Sequence, residues 1–295
     1  HEHIAALSPL QIAAERLGVI VDYLEIPVYT GETEISEDDF VQVFQQGVDK
    51  HGADNVALVV FSHITYKTGT RLPAKRICQE VAAPNNIMTL IDGAHSIGMV
   101  DLDFQDIGCD FYAGSGHKWQ CGPGATGILY VRQGAEAGID GYWPINGSLY
   151  PYAGFFNLQR QLQYVGNDNY PAKRALADSS RMWDDIGRWR IEEYVLGLSH
   201  LCKQRLLKTF GGEGVLYAPD VYALSSGLTT FNPFQDQTDL ATLNNFRDRL
   251  REEYGFIVRT TDFKVGKDDP ADVHALRIST HLFHDRDDVE DLVAA

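Results

Sequence analysis

Three short stretches carry residues that could do chemistry: SHITYKTG (62–69), DGAHS (92–96) and SGHK (115–118). Each follows a short apolar run, so each reads as the carboxyl end of a strand. In open α/β sheets ligands bind beyond those ends, and all three stretches are therefore expected on one crevice. Asp92 directly follows TLI, and a solitary carboxylate at the mouth of a core strand needs a partner. Lys118 follows its own apolar run by a Ser-Gly-His turn. An ammonium is rarely buried unpaired, because the cost of burial shifts its pKa instead. Such an amine condenses with a carbonyl, and such a carboxylate keeps a pyridine nitrogen protonated, so that the ring draws electrons from a substrate carbon. The pair fits the needs of pyridoxal phosphate. It also fits an ordinary Asp–Lys ion pair at a sheet edge, and spacing alone does not separate the two. His95 and His117 are weak signals singly, since a lone histidine is more often structural. Ser115 and Gly116 could offer a hydroxyl and backbone N–H groups to a phosphate, though Gly-Ser turns usually only turn.

The elements that must position these residues are legible as an alternation. LSPLQIAAERLG predicts a helix closed by Gly18, VIVDYLEIPV a strand, and SEDDFVQVFQQGVDKHG a helix with Ser36 at its N-cap and a stop near Gly52. NVALVVFSH, IMTLIDGAHS, CDFYAGSG and GILYVR then read as strands, with RLPAKRICQEVAA as a helix between the first two. Apolar strands separated by helices predict a largely parallel sheet covered on both faces. Beyond about residue 134 the texture changes to aromatic, Gly- and Asn-rich loops. A long amphipathic helix follows over roughly 172–210, with an interruption expected at Gly187. The remainder, with strands in VYALSSGLTTF, FIVRTT and HALRIST and helices in TDLATLNNFRDRLREEYG and DRDDVEDLVAA, reads as a second α+β domain. Domains are expected over 1–190 and 191–295.

The 295 residues suffice for one large or two ordinary domains with a sizeable core. A net charge of −16 argues against nucleic acid or an anionic membrane as the main partner and favours a small molecule. No apolar run approaches the roughly 18 residues of a membrane span. The four cysteines, Cys78, Cys109, Cys121 and Cys202, show neither metal-type spacing nor a small disulfide framework. The chain begins at His1 rather than Met, so a preceding segment is expected. The expected location is a bacterial cytoplasm, or the periplasm where that segment carries an export signal.

From SHITYKTGTRLP through DGAHS to DFYAGSGHKWQCGPGATGILYVR the chain resembles the class V aminotransferases, a family of fold-type I pyridoxal phosphate enzymes. Within it the likeness is to the isopenicillin N epimerase-like group, which also carries DGAH. The resemblance implies an α/β fold: a large domain with a mainly parallel sheet of the seven-stranded type between helices, plus a smaller C-terminal α+β domain. It implies that Lys118 is the Schiff-base lysine, that Asp92 is the pyridinium partner, and that Ser115 and His117 bind the phosphate. His95 would lie near the cofactor's phenolic oxygen and His3 would stack on the pyridine ring. Arg277, in LRIST, matches the arginine that takes a substrate α-carboxylate, and a homodimer with active sites at its interface is implied as well. Without the resemblance Arg277 reads as a salt-bridging edge-strand residue.

There are departures. Tyr66 stands where desulfurases often have Asn, so contacts near the substrate differ. The family's Gly-Thr, which lends a phosphate contact to the neighbouring subunit, is here Gly166-Asn167. No cysteine occupies the region just before Arg277 where desulfurases carry their sulfur acceptor, which disfavours persulfide formation and leaves C–S elimination open. The expected activity is transamination or a related deamination at the α-amino centre of an amino acid or an amino-acid-containing natural product. Epimerisation and C–S lysis are alternatives, and a catalytically silent scaffold is a further one. The aromatic loop Tyr142 to Phe156 would suit a large substrate or a partner subunit.

Overall fold

The computed structural model describes residues 1–31, 33–134 and 158–295. Helix α1, Ile4–Leu17, ends at Gly18. Helix α2, Glu37–His51, starts from a capping box in which Ser36 and Asp39 satisfy each other's backbone, and it buries Phe40, Phe44 and Val48 at helical spacing. Strand β1, Leu58–Ser62, is followed by α3. This helix runs as an α turn at Ala74–Arg76, a π turn at Ile77–Ala82 and a 3-10 turn at Ala83–Asn85. Strand β2 is Met88–Asp92, α4 is Phe104–Ile107, β3 is Phe111–Ser115 and β4 is Gly127–Val131.

The first sheet has the order β1-β2-β3-β4, with the first three strands parallel and β4 antiparallel. Four of its strands thus lie among the described residues. Ser62 is in register with Asp92 and Asp92 with Ala113, so the carboxyl ends of the parallel strands lie side by side. The row Phe61, Ile91 and Tyr112 is buried beneath α2 and α3. The opposite row is only part-covered: Val60, Leu90 and Phe111 are half-buried and Leu58 is exposed. Among the described residues the Phe61 row is thus the more deeply packed of the two faces.

One correction concerns residues 19–28, which read as a strand. They form no regular element and join no ladder among the described residues, and Val19, Ile20 and Tyr23 are exposed. β-branched residues favour a strand only where a neighbouring strand supplies hydrogen bonds and packing.

Helix α5 spans Leu158–Gln163. The long predicted helix is two, α6 at Tyr170–Ile186 and α7 at Arg188–Phe210, broken at Gly187, whose φ of 98° a helix cannot continue through. Strand β5 is Val215–Leu216 and β6 is Leu228–Asn232; a 3-10 turn at Tyr222–Leu224 takes the first part of the predicted VYALSSGLTTF strand. Helix α8 is Leu240–Tyr254, β7 Arg259–Phe263, β8 Val273–Ser279 and α9 Arg286–Ala294. The second sheet, ordered β5-β6-β8-β7, is antiparallel throughout.

The loop after β1 ties the two sheets together. Ser226 Oγ donates to Gly69 O at 2.6 Å, Thr230 Oγ1 to Lys67 O at 2.8 Å, and Arg277 to Tyr66 O. This seam carries the site. Among the described residues no helix is long and apolar enough to cross a membrane.

Candidate active site

The DGAHS turn leaves β2 over a buried hydrogen-bond chain. Ser96 Oγ donates to Gly93 O at 3.1 Å, so Ser96 accepts from the Tyr112 hydroxyl; Tyr112 in turn accepts from His63 Nδ1 at 2.8 Å. Burial, helped by the charge of Arg71, holds His63 neutral, with its pKa pulled down to about 3. Gly93 is required where it stands, since a Cβ there would lie 2.0 Å from Tyr112 Cε1. With the turn fixed, Asp92 Oδ1 accepts from Ala94 N–H at 2.8 Å and its second oxygen has no hydrogen bond among the described residues.

Lys118 comes from the turn after β3. Its side chain keeps solvent access, but its amine stands where lost hydration pulls the pKa below its ordinary value; the Asp92 charge opposes this and Arg277 adds to it. Among the described residues Lys118 and Asp92 form no direct ion pair, though the Asp92 charge still acts on the amine. The amine instead lies 3.4 Å from His95 Nε2. His95 is pulled down to about 3 by burial and by the charges of Lys118, Arg277 and His3.

Arg277 on β8 donates from Nη1 to Tyr66 O at 2.7 Å, while its Nε is buried with no hydrogen-bond partner among the described residues. Its guanidinium lies 5.9 Å from the centre of the Tyr66 ring, and His3 meets the same ring edge-on at 5.1 Å. His3 also caps α1, its Nδ1 accepting from Ala5 N–H. His117 Nδ1 donates to Thr126 O at 2.9 Å, and Ser115 closes β3 opposite Gly127.

Lys118, Asp92, His95, Arg277, Tyr66 and His3 thus lie within contact or electrostatic reach of one another, with Ser115 and His117 on the adjoining turn. Asn167 is not: it is exposed in the segment before α6. The loop residues Gly147 and Ser148, and the aromatic loop 142–156, lie outside the described residues. Sequence reasoning missed Trp119, directly after the lysine, whose Nε1–H reaches His95 Nδ1 at 3.2 Å. It also missed His63, although both stand inside the quoted stretches; a large aromatic beside a reactive lysine was the available signal. A separate groove of about 980 Å³, lined by Arg71, Asp103, Phe104, Tyr130 and Glu192 among others, holds none of the predicted site residues.

The model of the family "Aminotransferase class-V" matches residues 1–292. The chain belongs to the class-V aminotransferases. It is 32% identical over 249 residues to an isopenicillin N epimerase of Streptomyces clavuligerus, covering 81% of this chain and 59% of that protein. It is 28% identical over 237 residues to a probable cysteine desulfurase of Halalkalibacterium halodurans, covering 78% and 53%. The chain therefore spans less than two thirds of the length of these curated relatives. Among solved structures a cysteine desulfurase of Thermococcus onnurineus NA1 superposes with a TM-score of 0.75 at 20% identity, covering 100% of this chain and 69% of that one. The cystine C-S lyase C-DES superposes at 0.74 and 21%, covering 99% and 72%. This class-V chain has the fold-type I architecture.

Its cofactor is pyridoxal phosphate, and the residues present fit it. Among the described residues, a lysine amine without a carboxylate ion pair, a strand-end carboxylate with one unbonded oxygen, and a Ser-Gly-His turn with an unbonded Ser115 hydroxyl are the donor set such a cofactor needs.

Proposed function

We propose that the complete protein transforms the α-amino centre of an amino acid or of a natural product that contains one, by transamination or a related deamination. The observation that supports this best is the Lys118 amine, partly dehydrated and in no carboxylate ion pair among the described residues, within the field of a half-engaged Arg277. Bound at this crevice, pyridoxal phosphate supplies the electron sink for carbanion chemistry at Cα. Lys118 holds the cofactor and, once displaced by substrate, moves the Cα proton. Asp92 uses its second oxygen to keep the pyridine nitrogen protonated, and Ser115 and His117 bind the phosphate. Arg277 presents Nε and Nη2 to the substrate α-carboxylate, with Tyr66 and His3 walling that side.

Epimerisation is the second reading, supported by the identity to isopenicillin N epimerases. C–S elimination is the third. Sulfur transfer through a thiol of this chain is disfavoured: burial pushes Cys78, Cys109 and Cys202 each up to about 12, and Cys121 is raised as well.

The test uses the full-length protein. It is expected to show a visible absorption band that borohydride removes, and Lys118→Ala is expected to lack it while keeping its far-UV circular dichroism. A reducible band in Lys118→Ala would refute the assignment. Incubation with α-amino acids then separates the reactions, by keto-acid formation, by inversion of the α-centre, or by sulfide release.

A further inference from the structure

We propose that Trp119 is a positioning residue that fixes the tautomer of His95, so that the single ring proton of that histidine faces the Lys118 nitrogen. The inference rests on the proposed role of Lys118 and adds a residue to it. An indole N–H only donates, so the 3.2 Å contact from Trp119 Nε1 requires a lone pair on His95 Nδ1. The imidazole is neutral, because burial first, and then the flanking charges of Arg277 and His3, disfavour a second proton whether or not Lys118 is charged; Asp92 lies close enough to the lysine for its charge to act on it. Its one proton therefore sits on Nε2, 3.4 Å from Lys118 Nζ.

The consequence lies in what that proton can meet. An Nε2–H aimed at the amine forms a hydrogen bond only if the amine carries a lone pair; an ammonium would set N–H against N–H. The tautomer thus selects the neutral, nucleophilic amine. The opposite tautomer would present a lone pair to Lys118 and favour the ammonium. Only the indole donor decides between them.

Trp119 is held so that it cannot leave this task. It is 4% exposed, its ring stacks on His281 at 5.1 Å and 11°, and its carbonyl accepts from His281 Nε2 at 3.1 Å. Its far edge packs against Gly227, where a Cβ would lie 2.9 Å from Trp119 Cη2.

The experiment is made on full-length, cofactor-free protein. Two-bond ¹H–¹⁵N spectra of histidine-labelled protein report which ring nitrogen of His95 is protonated, and competitive acetylation near neutral pH reports the free-amine fraction of Lys118. Wild type is expected to show Nε2–H alone. Trp119→Phe, and a β-(3-benzothienyl)alanine at 119 that keeps the bicyclic shape without the N–H, are expected to show mixed or inverted tautomers. In both, Lys118 acetylation should slow several-fold. An Nδ1–H wild type overturns the proposal whatever the variants do, and so does an unaltered Nε2–H signal in either variant. A full-length protein without a borohydride-sensitive band would sink the functional reading instead, while leaving the tautomer measurements intact.

Discussion

Arg277 shows what one side chain contributes. Its Nη1 is committed to the Tyr66 carbonyl, which sets the plane of the guanidinium, and its Nε is buried without a hydrogen-bond partner among the described residues. A carboxylate has two coplanar oxygens, and a guanidinium edge meets both with parallel N–H bonds, whereas a lysine offers the charge without the fork. Arg277→Lys is therefore expected to be damaging despite its conservative look. KM should rise and kcat fall together, because a misoriented Cα bond affects the transition state as well as binding. The expected loss in kcat/KM is about 2–4 kcal/mol, by analogy with charge pairs that lose one partner. Steady-state kinetics with whichever amino acid proves active check it; unchanged constants would mean that no α-carboxylate is bound there.

At the scale of elements, the β2 turn is the part on which the site depends. Gly93→Ala would drive a methyl into the Tyr112 ring, and overpacking of this kind costs about 1–3 kcal/mol. A lowered urea midpoint with an unchanged slope is the expected readout, and a neutral substitution would show that the turn is looser than the packing requires. The same region fixes an acid response. His63 and His95 take a proton near pH 6.5 when unfolded but only near 3 when folded. Below pH 6.5 the unfolded chain binds more protons, so stability present above that value is lost as the pH falls toward 3. The slope is at most about 1.4 kcal/mol per pH unit for each histidine. Carboxylates held low by their partners, such as Asp39 and Asp178, titrate further down. Urea midpoints are thus expected to drop already between pH 7 and 5, and a flat profile in that window would contradict two buried neutral histidines.

For the whole molecule the open issue is assembly. Asn167 stands exposed, away from Lys118's contacts, in the segment before α6. We propose that it serves a neighbouring copy, as the family resemblance implies, together with the loop around Gly147 and Ser148 outside the described residues. Sedimentation of the full-length protein at micromolar concentration is expected to give a dimer, the commonest symmetric assembly. A fully active monomer would remove Asn167 from the site. The division into domains over 1–190 and 191–295 is likewise a proposal; what the fold supplies at that point is the break at Gly187 between α6 and α7.

The sequence by itself determined the local elements and the strand ends. Ser36, Gly18 and Gly52 bound helices that form as read, and the apolar runs before Asp92 and Lys118 are strands whose parallel register brings both residues to one edge. Such features are local, since caps and periodicity act within a few residues of one another. The tertiary structure decided the rest. It left residues 19–28 without a strand partner among the described residues, packed the first sheet more deeply on the Phe61 face, and carried Arg277 to the carbonyl of Tyr66 across 211 residues. It also set the Trp119 donor against His95 and buried His63 against Tyr112. No periodicity encodes those contacts, because each depends on which surfaces meet once both sheets have closed around the loop after β1.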